Sequence, residues 1–454
     1  MASESPSAPI DDATIRRVVF ASFLGTMIEW YDFFLYGTAS ALVFGKLFFP
    51  DADPLAGTMM AFATNAVGFF ARPIGGIVFG HYGDKIGRKS VLVTTLMMMG
   101  VATCLIGLLP TYNTIGIAAP IILACLRFVQ GFGVGGEWGG AVLLAVEHSR
   151  KGRRGLNASL VQAGVGAGML LANGVFTLTT WWLSEEAFLN WGWRIPFLLG
   201  VVLLGLGLFI RTKVMEAPIF TALQNAKENA KENDPPETKK PASLPIWEVI
   251  THYPKNVLLA MGARFGENAS YYIISVFVLT YATQKLGLSK PVILNAILIG
   301  TAINFFTIPF FGWVSDLVGR RMVYMAGTVL MGLFAWPFFL LIDTKSSLWI
   351  TVAITIGLAL HAMMYAPQAA FFAELFGTRV RYSGASLGYQ LASPIAGGLA
   401  PMVATALLKW SHQNAWSVAV YMAGMCAITW LSVYLAEETS QKDMGEMDVA
   451  LLEE

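Results

Sequence analysis

Charge is what this chain has least of: Asp, Glu, Lys and Arg make up 13% of its 454 residues, against roughly a quarter in ordinary soluble domains. A polar-surfaced globule is thereby excluded, and a hydrophobic content of 56% with a mean hydropathy of +0.60 places the chain in a bilayer. Cysteine is nearly absent. Cys104, Cys125 and Cys426 all fall in apolar stretches, which excludes a disulfide framework and any paired metal-ligand spacing, so they read as packing residues. There is no His-Glu-x-x-His, no nucleophile elbow and no binuclear metal pattern, so no enzyme, metal or cofactor is expected. Gly87-Arg-Lys-Ser90 lacks the earlier glycine of a phosphate-binding loop, which disfavours an ATP-driven pump. No nucleic-acid partner is expected. Met1 to Thr14 is polar and acidic, and the first apolar run is too long for a cleaved signal peptide and carries Glu29 and Asp32.

What is present is a repeat. Gly-x-x-x-Asp-x-x-Gly-Arg-(Lys/Arg) occurs as Gly80 to Lys89 and again as Gly312 to Arg321, an offset of 232 residues. Each copy falls between two long apolar stretches, as a short charged turn joining two spanning helices would. A span needs about 20 apolar residues, and twelve stretches qualify: Val18–Phe44, Thr58–Gly80, Ser90–Leu109, Ile117–Glu147, Leu156–Thr180, Arg194–Ile210, Asn256–Ala282, Val292–Val314, Met322–Ile342, Leu348–Glu374, Gly384–Leu408 and Trp416–Leu435. The expected organisation is a segment 1–17, a six-helix bundle 18–211, a polar central loop 212–253, a second six-helix bundle 254–435 and a short tail 436–454. Loops after even-numbered spans hold Lys85, Arg88, Lys89, Arg150, Lys151, Arg153, Arg154, Arg320, Arg321, Arg379 and Arg381, whereas the other side holds only Lys46, Lys285, Lys290, Lys345 and Lys409. By the positive-inside rule both termini are cytoplasmic.

Ionisable groups inside a bilayer cost roughly 2.5–3.5 kcal/mol each on insertion scales and mark a pathway by default. Four spans carry them in helical register: Glu29, Asp32 and Tyr36 in the first; Arg127, Gln130 and Glu137 in the fourth; Arg264, Glu267, Asn268 and Tyr271 in the seventh; His361, Tyr365 and Gln368 in the tenth. A three-helix unit repeated four times would turn these stripes toward one central cavity. At about 1.5 Å per residue, Glu29, Asp32 and Arg127 lie near mid-depth. Glu29 and Asp32 are candidate proton carriers, because alternating access to Arg127 would load and release a proton; the competing reading is a permanent ion pair with Arg127. The Arg127 fork suits a carboxylate, whether of a side chain or of a substrate. Arg264 and Glu267 either contact substrate or neutralise one another across one turn, and His361 is either a functional or a hydrogen-bonded structural group. Arg72-Pro73 in the second span is either a kinked position lining the cavity or a buried ion pair. The glycines from Gly131 to Gly140, and Gly164, Gly166 and Gly168, read as close helix packing.

Each half also ends its fourth span in an acid followed by basic residues, Glu147 and Glu374. Asp84, Arg88 and Glu147 are expected to form one gating network and Asp316, Arg320 and Glu374 its counterpart, closing one side in one conformation and parting in the other.

Across nearly its whole length the chain resembles the metabolite:proton symporter family of the major facilitator superfamily, whose members include bacterial shikimate, alpha-ketoglutarate and proline/betaine carriers. The resemblance rests on Glu29-Trp-Tyr-Asp-Phe33, Arg72-Pro-Ile-Gly-Gly76, the two Gly-x-x-x-Asp loops, Arg127-x-x-Gln-Gly131 running into Gly135-Gly-Glu-Trp-Gly-Gly140, Trp191-Gly-Trp-Arg-Ile-Pro-Phe197 and Arg381-Tyr-Ser-Gly-Ala385. Phe79-Gly-His-Tyr-Gly-Asp84 and Arg264-x-x-Glu267 look most like the shikimate-type branch. The resemblance implies an all-α membrane protein of two pseudo-symmetric six-helix bundles that rock about a midplane site, and it ties Asp32 and Arg127 to proton coupling. It further implies a monomer in a bacterial inner membrane, importing a small organic acid with a proton. The tail lacks the heptads of osmosensing relatives, yet Tyr36, Tyr271, Tyr365 and Trp138 keep a betaine-like zwitterion as an alternative substrate. A receptor that binds without translocating is the third possibility.

Overall fold

The computed structural model describes residues 12–86, 88–135, 142–143, 145–146, 149–150, 152–214, 245–376 and 381–440. Among them there is no strand, and helices satisfy their own backbone N–H and C=O groups, as lipid immersion requires. Twelve long helices follow in order: α1 (Asp12–Ala39), α2 (Pro54–Ile86), α3 (Arg88–Leu108), α4 (Ala118–Val134), α5 (Arg154–Trp182), α6 (Arg194–Val214), α7 (Pro254–Tyr272), α8 (Lys290–Val318), α9 (Arg320–Asp343), α10 (Ser347–Glu374), α11 (Arg381–Ala392) and α12 (Trp416–Leu435). Three continue through wider π-helical turns: α1 through Ser40–Phe44, α7 through Ile273–Phe277 and Tyr281–Lys285, and α11 through Ser393–Gly398 into Ala400–Trp410. A short helix, Pro245–His252, precedes α7 within the stretch expected to be loop.

The two halves pack by one plan. In the first, α1 lies against α5 and α6, α2 against α4, and α3 against α4 and α6; in the second, α7 lies against α11 and α12, α8 against α10, and α9 against α10 and α12. The halves meet where α5 packs on α8 and α10, and where α2 packs on α11. Small residues set these distances. A Cβ at Gly131 of α4 would overlap the carbonyl of Gly68 on α2, and one at Gly164 or Gly168 of α5 would press on the α1 backbone.

By length and apolar composition alone, 7 of the described helices qualify as spans, or 8 with the bent pair leading into α6. Those that fall short include α1, α4 and α7, three of the four helices bearing polar stripes. Large apolar side chains such as Val202, Phe306, Leu333 and Leu348 point outward, as lipid contact demands. Exposed Trp181, Trp182, Trp191, Trp349, Trp410 and Trp416 cluster at helix ends away from the Gly-x-x-x-Asp loops, forming an interfacial belt.

Candidate functional site

The stripe on α7 holds Arg264, Glu267, Asn268 and Tyr271 on one face because their spacing is i, i+3, i+4, i+7, and all four are buried. Arg264 lies 3.5 Å from Glu267, and its guanidinium donates to Gln368 Oε1 of α10 at 2.9 Å while stacking 3.2 Å above the Tyr389 ring of α11. Gln368 Nε2 donates to Glu267 at 3.2 Å and to the Tyr324 hydroxyl of α9 at 2.6 Å. His361 Nε2 meets the other Glu267 oxygen at 3.0 Å, with the imidazole ring between Tyr271 and Tyr365 at centroid distances of 4.5 and 5.2 Å. Of the two sequence alternatives for Arg264 and Glu267, the structure shows the pairing across one turn, and both residues line a hollow.

That hollow measures about 10 Å³ and is walled by Trp30, Val165, Arg264, Glu267, Asn268, Tyr271, His361 and Tyr365. It holds no more than about one water. Several of its walls keep buried polar atoms without a hydrogen-bond partner: Trp30 Nε1, Arg264 Nε, Asn268 Nδ2, His361 Nδ1 and the Tyr365 hydroxyl. Each such atom costs about 1–3 kcal/mol, a cost expected of groups that wait for a ligand.

The first half is built differently. Arg127 of α4 donates to Asn65 at 2.8 Å and to Gln130 at 3.1 Å, and Gln130 donates to the Thr103 hydroxyl of α3 at 2.6 Å. Thr103 stands beside Asp32. Asp32 and Arg127 therefore form no direct ion pair, and two neutral side chains lie between them. The Arg127 guanidinium is 4.0 Å from the Phe33 ring centroid and 4.5 Å from that of Tyr36, whose hydroxyl donates to Thr64 at 2.8 Å. Arg72 covers the opposite side, 3.8 Å from Phe33 and 4.6 Å from Phe69. Glu29 is buried within electrostatic range of Arg72 and Asp32. Helix α2 runs unbroken through Pro73.

Where the sequence suggests four stripes around one cavity, the structure divides them into two clusters. Phe34 and Phe69 of the first half pack on Tyr271 and Tyr272 of the second, at 5.6 and 5.4 Å, as an aromatic layer between the clusters. Glu137 lies outside the described residues. Asn65, Thr103, Tyr324 and Tyr389 join the site without having been singled out; each is a polar group within an apolar stretch, and that was the only signal.

Both ends of the molecule are tied across the halves. At the Gly-x-x-x-Asp end, Arg320 contacts Asp316 at 2.7 Å and Glu374 at 3.4 Å. Asp316 also accepts from the backbone N–H groups of Gly155 and Leu156 at the start of α5, both at 2.9 Å, and Arg154 reaches Glu374 at 3.8 Å. Beyond α12, Glu438 accepts from the N–H groups of Arg320 and Arg321 at 3.0 Å each, and Thr439 donates to Glu374 at 2.7 Å. Glu147 and the side chains of Asp84 and Arg88 lie outside the described residues. At the other end, Asp53 meets Lys409 at 2.7 Å, Gln284 donates to Thr58 at 2.6 Å, and Glu185 lies between Lys46 at 3.5 Å and Lys290 at 3.3 Å. Among the described residues, both ends are thus tied.

A family model for sugar (and other) transporters matches residues 18–451. The chain belongs to this transporter family. The transporter is 42% identical over 427 residues to the shikimate transporter of Escherichia coli (strain K12), covering 94% of this chain and 95% of that one. It is 34% identical over 442 residues to the proline/betaine transporter of the same strain, covering 96% and 86% of the two chains. A partially occluded, inward-open structure of the xylose transporter XylE from E. coli superposes with a TM-score of 0.70 at 18% identity, over 95% of this chain and 100% of that one. That likeness establishes the shared major facilitator fold. The molecule is thus a membrane transporter and not an enzyme.

Proposed function

We propose that this transporter imports a small organic acid together with a proton by alternating access. The carrying observation is the small hollow at which Arg264 is oriented by Gln368 and Glu267 while Asn268, His361 and Tyr365 keep buried polar atoms unpartnered. A guanidinium held on an aromatic ring with donors beside it suits a carboxylate whose neighbouring hydroxyls use the remaining groups. Shikimate, after which the 42%-identical relative is named, is a small carboxylic acid of that kind. Asp32, set apart from Arg127 by Thr103 and Gln130, is the proton carrier, with Glu29 as its neighbour and Arg127 as the counter-charge that draws near when the first bundle shifts. Residues 18–211 and 254–435 are the moving bundles. The basic loops support a reading with the Gly-x-x-x-Asp end and both termini in the cytoplasm, in a bacterial inner membrane, and the transporter on this reading acts as a monomer.

Uptake of labelled shikimate into proteoliposomes under an imposed inward proton gradient tests this reading. Accumulation that collapses with the gradient supports it. Binding without accumulation would favour a receptor. A zwitterionic osmolyte is the second reading, favoured by the rings of Trp30, Tyr271 and Tyr365 around the hollow, which would hold a quaternary amine by cation–π contact; glycine betaine outcompeting organic acids would decide for it.

A further inference from the structure

A second and larger hollow, of about 320 Å³, opens between the halves at the end away from the Gly-x-x-x-Asp loops. It is within the size range of small-ligand clefts, about 300–1,000 Å³. Its walls combine apolar surface from Leu42, Phe188 and Pro291 with neutral polar groups from Thr180, Gln284 and Ser289. Its charges are Lys46, Glu185 and Lys290, two cations to one anion. The geometry is that of an occupied carboxylate site: Glu185 Oε1 lies 3.5 Å from the Lys46 ammonium and 3.3 Å from that of Lys290, one lysine from each half of the molecule. The Lys290 ammonium is further fixed 5.2 Å from the Phe188 ring centroid. Glu185 itself is mostly exposed, with 67% of its side chain accessible, on the connection between α5 and α6.

We propose that this hollow is an entry subsite for small carboxylates, in which Glu185 holds the lysine pair in the absence of substrate and gives it up to an incoming carboxylate. Exposed ion pairs contribute little net stability, so replacing one carboxylate by another between the same two ammonium groups is close to an even exchange. The exchange does more than bind. Glu185 is one of the ties joining the halves at this end, so its release loosens the closure above the central site and leaves only Asp53–Lys409 and Gln284–Thr58 among the ties described. The proposal rests on the organic-acid reading for its substrate class and on the outward placement of this end.

The test uses a Ser289→Cys reporter in a protein whose three native cysteines are replaced by serine. Ser289 is exposed, lines the hollow and makes no helix-capping side-chain bond. Reconstituted protein is treated from outside with a negatively charged and, separately, a positively charged methanethiosulfonate, at low ionic strength, with and without millimolar shikimate. In Glu185→Gln the anionic reagent should react about threefold faster and the cationic one about threefold slower, the effect of one unit charge at about 6 Å in water. Shikimate should protect the thiol, with half-protection at about threefold lower concentration in Glu185→Gln, and protection should vanish in the Lys46→Gln/Lys290→Gln double variant. The proposal is overturned by protection that is equal in all three proteins, or by none in any. Transport of betaine instead of organic acids would defeat the reading of the central site alone, because protection by shikimate does not require its transport.

Discussion

The two halves share a helix plan but spend their buried charges differently. In the second half each charged group of the central cluster touches its partner: Glu267 meets Arg264, His361 and Gln368 within one hydrogen-bonded group. In the first half Asp32 and Arg127 are kept apart by Thr103 and Gln130. A preassembled cluster recognises a ligand with little reorganisation, whereas an acid without a fixed cation can change protonation as its surroundings change. On the proposed reading, the duplicated scaffold divides labour, with binding in one bundle and coupling in the other.

The sharpest way to break this division is Asp32→Asn, for which gradient-driven accumulation of shikimate in proteoliposomes should be abolished while counterflow exchange persists; normal accumulation would move the coupling site elsewhere. Glu267→Gln comes next. It leaves Arg264 buried without its carboxylate, a loss of about 3–5 kcal/mol for one partner of a buried pair, read as a lowered unfolding temperature in detergent together with lost shikimate binding. Arg264→Lys keeps the charge but loses the planar fork, and forfeiting one charge-assisted hydrogen bond of about 1.5–3 kcal/mol should raise the apparent KM roughly 10- to 100-fold, with a smaller change in maximal rate. An unchanged KM would place the carboxylate site in the first half.

Smaller effects belong to the ends. Burial pushes the Glu438 carboxyl up, but the N–H groups of Ser440, Arg320, Arg321 and Thr439 outweigh it and hold it below its usual value of 4.5. Its contribution is present above that value and is lost as pH falls through the lowered one. Glu438→Gln should cost about 0.5–2 kcal/mol, as for a helix cap, and the difference from the parent in a Tm titration should shrink on acidification below about pH 4.5. The smallest effect is expected at the opposite end, where the hydrogen bond from Lys409 holds the exposed Asp53 below its usual range; Asp53→Asn should leave Tm unchanged.

The repeat made much of this legible. Arg320 meeting Asp316 and Glu374 follows from one motif and one helix end, and the α7 stripe follows from spacing alone. Other contacts were not readable because they join residues that no local pattern connects. Glu438 reaches across to Arg320, and Arg154 to Glu374, through folding of the whole chain. Thr103 and Asn65 are single polar residues in apolar helices, where periodicity is silent about partners. The separation of Asp32 from Arg127 was unreadable for the same reason, since mid-depth placement constrains height in the membrane and not which side chains intervene.

The π-helical turns that extend α1 and α7 begin at Ser40 and Ile273, 233 residues apart, one residue from the 232 that separate Gly80 and Gly312. A wider turn interrupts the regular hydrogen-bond ladder and is a place where a helix bends. Each bundle therefore carries a flexural joint at the same height, and both joints lie toward the tryptophan-belted face. On the alternating-access reading, access from that face would be controlled by tilting two helix tips, and the opposite face, tied by Arg320, Asp316 and Glu374, would part by movement of whole bundles.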